Sequence, residues 1–319
     1  MSITIGRLGY LGFGLETDPG TAVDPAVFLP FTDVSLRAHH EPIEDIAAKT
    51  SRLMDKDSVV GKKWSEGDIK IDADVVNSGY LWKLALGNEV LETGTPNNHT
   101  FYTTVSGNTP KTATVYYGRD TDVERYDFIS ADELTMEVSD SLAELTASVM
   151  GKFPVIGTPQ TATTTSGTIF SFKDLSVQFG TDLTTAAAAS ATAINEFSLT
   201  IANNLEVIHR SGSPDVSTIR TKGCRVSGSY TVYFDSETDK NAYYALNKRA
   251  MIATFTGNAN EQLRIRIPRF RLSEGEIATG LDDFFVINCE FVAEDVVDSG
   301  ARLIDVRLQN DKSTVYAAG

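Results

Sequence analysis

The sequence has few of the features that mark a disulfide-rich, metal-binding or membrane-spanning protein. Its only two cysteines, Cys224 and Cys289, lie in apolar stretches without a CxxC spacing. We therefore predict two buried free thiols rather than a disulfide framework or a zinc site. No apolar run approaches the roughly 20 residues of a membrane-spanning helix. The N-terminal MSITIGRLGY lacks a basic flank and a long apolar core, so we expect no signal peptide and synthesis in a cytoplasm.

Motifs for catalysis or cofactor binding are also missing. The sequence contains no HExxH and no GxSxG, and the glycine-rich start GRLGYLGFG is not followed by the Gly-Lys-Ser/Thr of a phosphate-binding loop. Asp68, Asp72 and Asp74 lack the glycine and the closing glutamate of a calcium loop. We predict that the protein is not an enzyme and has no catalytic, cofactor-binding or metal-binding residue.

The four histidines do not indicate a metal site either. His39 and His40 are adjacent in a predicted strand, where neighbouring side chains point to opposite faces, so they cannot readily share a metal ion. His99 and His209 fall in predicted loops. The sequence therefore offers no pair of histidines at a spacing that a metal requires.

Positive charge is scarce, with 28 Lys and Arg against 43 Asp and Glu and a net charge of −15. Tight binding to nucleic acid needs cations that neutralise phosphates, so this charge argues against it. The charge is compatible with an ordinary acidic protein, or with a surface along which DNA passes without sticking. In the one basic segment, RIRIPRFR, Arg264 and Arg266 share a face of a predicted strand, and we predict that they pair with carboxylates of a neighbouring strand or subunit.

One local pattern occurs twice in the chain. The segment WSEGDIKIDADVVNSGYLWKLALG alternates as a strand after Gly67, stops at Asp74, and then shows helical spacing, with Asp74 or Ser78 as N-cap. A second segment repeats this order after Gly228, with Asp235 at the end of the strand. Gly67 and Gly228 are 161 positions apart, and so are Asp74 and Asp235. The pattern predicts a duplicated half.

The flanking sequence extends the repeat. A strand is predicted before each glycine, within Phe28–Ala38 and within Phe197–Ile201, and each is followed by a stretch long enough for a projecting loop or hairpin. The Thr-rich GTPQTATTTSG at the midpoint reads as a linker. We predict a mainly β fold of two tandem antiparallel β-sandwich or barrel units, each with a short helix. The units span 1–156 and 168–319, and residues 157–167 join them.

Several of these segments together resemble a known family. GYLGFGLETDPGTAV, FLPFTDVSL, the segment from Trp64 to Gly87, INEFSLTIANNLEVIHRSG and GSYTVYFDSETDKNAYYAL are similar to the tail tube (major tail) proteins of long-tailed bacteriophages. The resemblance covers most of the chain. It implies small β-sandwich-like units whose inner strands join those of neighbouring units into a wide ring-shaped barrel around a lumen.

The resemblance also implies a function. The protein would be a structural virion protein that polymerises as stacked rings into the tail tube, the conduit for genome ejection. Its partners would be other copies of itself, the tape-measure, tail-terminator and baseplate or tip proteins, and genomic DNA that passes without specific binding. We expect it in the virion tail after assembly in the host cytoplasm, with no membrane insertion.

The two projecting loops, Ala47–Lys63 and Val207–Gly223, are predicted to carry the contacts between stacked rings and to be disordered in the free subunit. Their charged residues suit ion pairing across such a contact. The candidate residues are Arg52, Asp55, Lys56, Asp57, Arg210, Asp215 and Arg220.

Two questions stay open at this point. Tubes of this family are built on six-fold rings of single units, so a chain with two units predicts a homotrimer with a pseudo-six-fold ring, whereas six chains with the second half outside the tube is the alternative. A different class of protein, a secreted or outer-membrane β-barrel or β-sandwich that binds carbohydrate, also shows alternating strands. A monomeric protein with a groove of aromatic and carboxylate side chains would favour that class.

Overall fold

The computed structural model describes residues 6–45, 58–103, 107–120, 122–165, 167–233, 238–278, 285–295 and 302–317. Within these ranges the chain forms 22 strands and three α-helices. The elements up to residue 156 are β1 (Tyr10–Leu15), β2 (Val27–Leu29), β3 (Asp33–Val34), β4 (Arg37–His40), β5 (Ile43–Glu44), β6 (Ser58–Val59), β7 (Lys63–Asp72), α1 (Ser78–Leu86), β8 (Asn88–Glu92), β9 (Asn97–Tyr102), β10 (Ala113–Arg119), β11 (Asp122–Val138), β12 (Glu144–Gly151) and β13 (Val155–Ile156).

The elements after residue 156 follow an order similar to that of the first part. None of the helices in the described ranges is long and apolar enough to cross a membrane. The elements are β14 (Leu175–Gly180), α2 (Leu183–Ala188), β15 (Glu196–Ala202), β16 (Leu205–His209), β17 (Val216–Thr221), β18 (Arg225–Tyr233), α3 (Thr238–Tyr244), β19 (Arg249–Thr256), β20 (Gln262–Ala278), β21 (Val286–Ala293) and β22 (Asp305–Asn310).

Eight strand positions form one continuous antiparallel sheet. Hydrogen-bonded neighbours give the order β3 and β4, β7, β12, β11, β15, β18, β21, β20. The first four positions come from the first part of the chain and the last four from the second part. β11 and β15 meet at the centre, where Met136 lies opposite Leu199. This sheet gives the molecule one polar face and two ends.

Two strands of 17 residues each, β11 and β20, connect this sheet to a second layer. The beginning of β11 pairs with β10 and its end with β12, while β20 pairs first with β19 and β22 and then with β21. Both strands change register within the eight-stranded sheet, β11 after Ala131 and β20 after Leu272. Such a bulge bends a strand and increases its twist, which lets one strand serve two layers.

The second layer covers one face of the eight-stranded sheet. Its strands are ordered β2, β1, β10, β11 on one side and β14, β19, β20, β22, β9, β8 on the other. The apolar side chains of both layers meet in one large core, which includes Trp82, Phe197 and Phe291, each no more than 1% exposed. Helix α1 lies within this core with all but one of its residues buried.

Helix α1 begins where the sequence predicts it, but its N-cap residue is neither Asp74 nor Ser78. Asn77 is the N-cap and makes no side-chain cap bond. The carboxylate of Asp74 instead accepts hydrogen bonds from the backbone N–H groups of Val76 and Asn77, both at 2.6 Å. Burial raises the pKa of Asp74, and these hydrogen bonds oppose the shift. Asp74 thus ends the strand and orders the turn into the helix.

The two glycines at the start of the repeat have the same structural cause. A Cβ at Gly228 would lie 2.2 Å from the carbonyl oxygen of Ser198, and a Cβ at Gly67 would lie 2.5 Å from that of Ser35. Gly67 also has a φ of 151°, which disfavours other residues. Each glycine therefore lets the preceding strand approach closely.

Some local predictions are wrong. The small residues of DLTTAAAASAT predict a loop, but this stretch contains α2. Its N-cap is Asp182, whose side chain accepts from the N–H of Thr185 at 2.8 Å. Phe28–Ala38 is not one strand but β2, β3 and the start of β4. Both cysteines are free, and burial raises the pKa of each thiol to about 11, but Cys224 is only half-buried.

Candidate assembly surfaces

The face of the eight-stranded sheet that points away from the core is polar and mainly acidic. Side chains on this face alternate with core residues along every strand. Among the strand residues of this face whose side chains the structure describes, ten are acidic and four are basic. The acidic residues are Asp33, Glu66, Asp68, Asp72, Glu133, Glu137, Glu144, Glu196, Glu274 and Glu290, and the basic ones are Arg37, Lys70, Arg225 and Arg271.

Hydrogen bonds fix part of this face. Lys70 forms an ion pair with Glu144 at 2.8 Å, and the hydrogen bond between them is the main cause that raises the pKa of Lys70. Burial, followed by the charge of Glu144, raises the pKa of nearby Asp72. Asp68 accepts from the hydroxyl of Ser148 at 2.6 Å. These contacts hold Glu144 and Asp68 of the acidic face in defined positions.

The two ends of this sheet differ from its interior because, among the described strands, each has a neighbour on one side only. At one end the backbone N–H groups of Ser35 and Glu41 donate to β7 and to Lys62, at 3.0 Å and 2.9 Å. Because alternate residues of an antiparallel strand bond to the same side, Leu36, Ala38 and His40 direct their backbone groups away from β7. At the other end β20 pairs only with β21 beyond Leu272.

The two ends also carry opposite charge. On the β4 end, Arg37 has a 70% exposed side chain, and His39 stacks on Trp64 with ring centroids 5.4 Å apart. Glu66 lies 3.0 Å from His39 Nε2. On the β20 end, Glu274 is exposed. Open strand edges are interaction sites, and these two are electrostatically complementary.

The hairpin of β16 and β17 is ordered and packs on the first part of the chain. Ile219 is fully buried and Val216 is 3% exposed, in a small cluster with Phe128 that also contacts Trp64. The carbonyl oxygen of Pro214, at the tip, accepts from the N–H of Lys63 at 2.8 Å. The prediction that Val207–Gly223 is disordered is therefore wrong, because Val216 and Ile219 are buried against the first part of the chain.

Three of the seven candidate loop residues lie in the part of the chain that the structure describes. Arg210 and Asp215 are exposed near the tip of this hairpin. Arg220 donates to the hydroxyl of Thr109 at 3.0 Å, a contact to the first part of the chain. The other four, Arg52, Asp55, Lys56 and Asp57, lie outside the described residues. In the first loop, the short pair β5 and β6 leaves Ile43, Val59 and Val60 between 59% and 66% exposed.

A protein-family model decides the family. The model described as phage tail tube protein matches residues 6–293, which is most of the chain. The chain belongs to this family. Among curated protein sequences, none matches it.

The family assignment gives the acidic face and the open edges a context. This tail tube protein is a structural component of the phage tail, and it polymerises into the tube through which the genome is ejected. The family is a structural one, and the described residues contain no group of three metal-ligating side chains. The comparison does not support the carbohydrate-binding alternative.

The two arginines of the basic segment have different partners in the tail tube protein. Arg266 forms an ion pair with Asp305 of the neighbouring strand β22, with 2.5 Å between Nε and Oδ1. Arg264 lies opposite Arg307, and its buried Nε has no hydrogen-bond partner among the described residues. Burial and then the charges of Arg307 and Arg266 lower the pKa of Arg264. Among the described residues, Arg266 pairs with a carboxylate of a neighbouring strand and Arg264 does not, so pairing of Arg264 with a neighbouring subunit stays a prediction.

One buried polar cluster was missed by the sequence. His99 lies in β9, not in a loop, and its Nδ1 and Nε2 lie 2.7 Å from Glu89 and 2.8 Å from the carbonyl oxygen of Lys312. Lys83 is 3.1 Å from the same Glu89 carboxylate, which also accepts from the N–H of Tyr316 at 3.0 Å. The cluster fastens the C-terminal segment to α1. Its members are too far apart in sequence for any local pattern to indicate it.

Proposed function

We propose that three copies of the chain close one ring of the tail tube. Each copy contributes its eight-stranded sheet, edge to edge, to a barrel of about 24 strands, which is wide enough to leave a channel. The observation that supports this most is the central pairing of β11 with β15, because it already joins two four-stranded sheets side by side. Closure of the ring by the same kind of pairing removes both open edges.

The acidic face of the sheet would line the channel. Its opposite face is covered by the second layer and cannot reach a lumen. A surface with ten acidic and four basic strand residues repels phosphate groups, so DNA can slide past it without binding. The tube then acts as a conduit that has no affinity for its cargo.

The two tandem units would be residues 1–156 and 168–319, joined by the linker 157–167. Rings would stack through the two loops, with Arg52, Asp55, Lys56 and Asp57 in one and Arg210, Asp215 and Arg220 in the other. Contacts that combine rotation with translation generate open tubes. Assembly would take place in the host cytoplasm, with the tape-measure protein inside the tube and terminator and baseplate or tip proteins at its ends.

Deletion of Ser51–Asp57 tests the stacking role. We expect a folded subunit that no longer forms tubes, as judged by circular dichroism and negative-stain microscopy. A second test removes charge from the other loop, Arg210→Ala with Asp215→Ala, which leaves the packed hairpin intact and should shorten the tubes. Tubes of normal length from the deletion variant would refute the stacking role.

A further inference from the structure

The strand registers of the two halves of the eight-stranded sheet correspond residue by residue. Gly67 and Gly228 mark equivalent positions in β7 and β18, and each faces the carbonyl of a serine, Ser35 or Ser198. β3 and β4 are therefore the counterparts of β15. The register shifts after Ala131 and Leu272 make the end of β20 the counterpart of the end of β11.

These equivalences have a direct consequence, because β11 and β15 are paired with each other while their counterparts both lie at open ends. In the pair, Glu133 lies opposite Ala202, Leu134 opposite Ile201 and Thr135 opposite Thr200. The counterparts in β20 are Glu274, Gly275 and Glu276, and those in β4 are His39, Ala38 and Arg37.

We propose that the seam between chains copies this internal pairing. The end of β20 in one chain lies antiparallel to β4 of a second copy, with Glu274 opposite His39, Gly275 opposite Ala38 and Glu276 opposite Arg37. This inference rests on the proposed ring and specifies the residues that close it. The N–H of Asn203 donates to Asp132 at 2.7 Å, so alternation makes Leu134 and Ile201 a hydrogen-bonded pair. Ala38, their counterpart in β4, directs its backbone groups outward.

Charge makes this seam directional. At the internal pairing no carboxylate faces a cation, because Glu133 lies opposite Ala202 and Glu137 opposite Ser198, and the hydroxyls of Thr135 and Thr200 are 3.4 Å apart. At the proposed seam, Glu276 of β20 lies opposite Arg37 of β4, and Glu274 lies opposite His39, which adds a positive charge only when it is protonated. Cross-strand pairs of opposite charge stabilise a sheet, while like charges destabilise it. Pairing of β4 with β4, or of β20 with β20, would place like charges together, so only head-to-tail rings are favoured.

The hairpins give independent support. The hairpin after β15 covers the half that precedes it, where Ile219 is fully buried. The first loop follows β4 in the same way, yet Ile43 and Val59 at its base are 60% and 59% exposed. In the proposed seam the second half of the preceding chain stands where the first half stands in the internal pairing. It would cover this exposed apolar surface.

Disulfide cross-linking tests the register. Glu274 and His39 are counterparts of a non-hydrogen-bonded pair, whose Cα atoms are about 4.5 Å apart, within reach of a disulfide. Within one chain they lie at opposite ends of the eight-stranded sheet, roughly 33 Å apart at the usual strand spacing. Tubes of the variant Glu274→Cys with His39→Cys should therefore yield covalent trimers in a non-reducing denaturing gel after oxidation.

The controls distinguish failure of the proposed seam from failure of the proposed ring. Each single variant, the unmodified chain and the wrong-face pair Glu274→Cys with Ala38→Cys should stay mostly monomeric in the gel. If the cysteines prevent folding, Arg37→Glu and Glu276→Arg should each reduce tube yield at least tenfold, and the double variant should restore it. Tubes that form normally but cross-link only in another register overturn the seam and leave the ring intact. Unmodified protein that forms rings of six chains overturns the proposed ring itself.

Discussion

The edge of β15 and the edge formed by β3 and β4 have similar structures, but only the edge of β15 pairs with a further strand among the described residues. Both lie beside a long strand that carries a glycine, and both place an apolar residue toward the core, Leu199 in one and Leu36 in the other. β15 is sealed by β11, whereas the described part of the chain offers no partner to the outer side of β4. The chain thus contains one paired junction, and in the proposed ring its two open edges would form a second.

The side chains at these edges differ in a way that fits this distinction. A junction within one chain needs no recognition, because its two sides are connected, and its central pair is two threonines. A junction between chains must select its partner, and in the proposed ring charged residues such as Arg37 would serve that purpose. The paired stretch of the sealed edge has glutamates on β11 only, opposite Ala202 and Ser198, whereas the two open edges carry glutamates on β20 and Arg37 on β4.

The largest effect on stability is expected at the sealed edge. Leu199→Ala removes a fully buried side chain opposite Met136 and should lower the free energy of unfolding of the free chain by about 2–5 kcal/mol. Leu36→Ala at the equivalent open position should cost less in the free chain, because no strand of the described chain packs beyond it. Urea denaturation measures both. An equal cost at the two positions would contradict the comparison.

The glycines that admit the neighbouring strand come next. Gly228→Ala puts a methyl group against the Ser198 carbonyl and the ring of Phe291, and overpacking of this kind costs about 1–3 kcal/mol. Gly67→Ala should cost at least as much, because its φ of 151° adds strain. The control is Gly223→Ala, whose Cβ would meet no described atom within 4 Å. Thermal unfolding that fails to distinguish Gly228→Ala from this control would be evidence against the close approach.

A charge cluster distinguishes equivalent corners of the two halves. Glu294 follows β21 and contacts Lys248, Arg269 and Arg271, while Lys152 follows β12. The hydrogen bond from Lys248, with burial opposing it, lowers the pKa of Glu294 below its ordinary value. The carboxylate therefore stabilises the folded state above pH about 4.5, and the stabilisation is lost as the pH falls through the lowered pKa.

The corresponding variant should show that pH dependence. Glu294→Gln should lower the free energy of unfolding by about 0.5–1 kcal/mol at pH 7, since its partners are partly exposed, and by nothing measurable once the pH lies below the lowered pKa. Lys248→Ala should lose a similar amount, and the double variant should lose less than the sum. A penalty for Glu294→Gln that is constant from pH 3 to pH 7 would exclude this electrostatic origin.

The smallest effect on the free chain, and a large one on assembly, is expected at the exposed loop base. Val59→Ser replaces a side chain that is 59% exposed and should change the free energy of unfolding by less than about 0.5 kcal/mol. If a second copy covers this surface, the concentration needed for tube formation should rise. Ile219→Ser in the packed hairpin is the reverse case and should destabilise the chain itself. Sedimentation of tubes measures the first effect, and unchanged assembly would argue that the surface stays exposed.

Local patterns predicted much of this fold but not its connections. The alternation before Asp74 and the helical spacing after it predicted β7 and α1, because both depend on near neighbours in sequence. The continuity of β11 could not be predicted, since its bulge at Ala131 breaks the alternation and makes one strand resemble two. Helix α2 was missed because its Thr and Ala residues show no apolar period, although Asp182 and Thr185 form a capping box.

The assembly surfaces show the same limit. The spacing of Gly67 and Gly228 predicted that β7 and β18 occupy equivalent positions, and the resemblance of several segments predicted the family. The roles of the edges were not visible, because an open strand and a sealed strand have the same alternation. The basic segment also illustrates this: Arg266 pairs with Asp305, which lies 39 positions away, and only the register of β20 with β22 brings them together.

Electron cryomicroscopy of assembled tubes tests the central claim most directly. We expect three chains in each ring, each contributing eight strands to the wall of the channel, with β20 of one chain beside β4 of the next. The acidic face, with Asp68 and Glu137, should line the channel. Six chains in each ring, each contributing only one of its two four-stranded sheets to the channel, would contradict it.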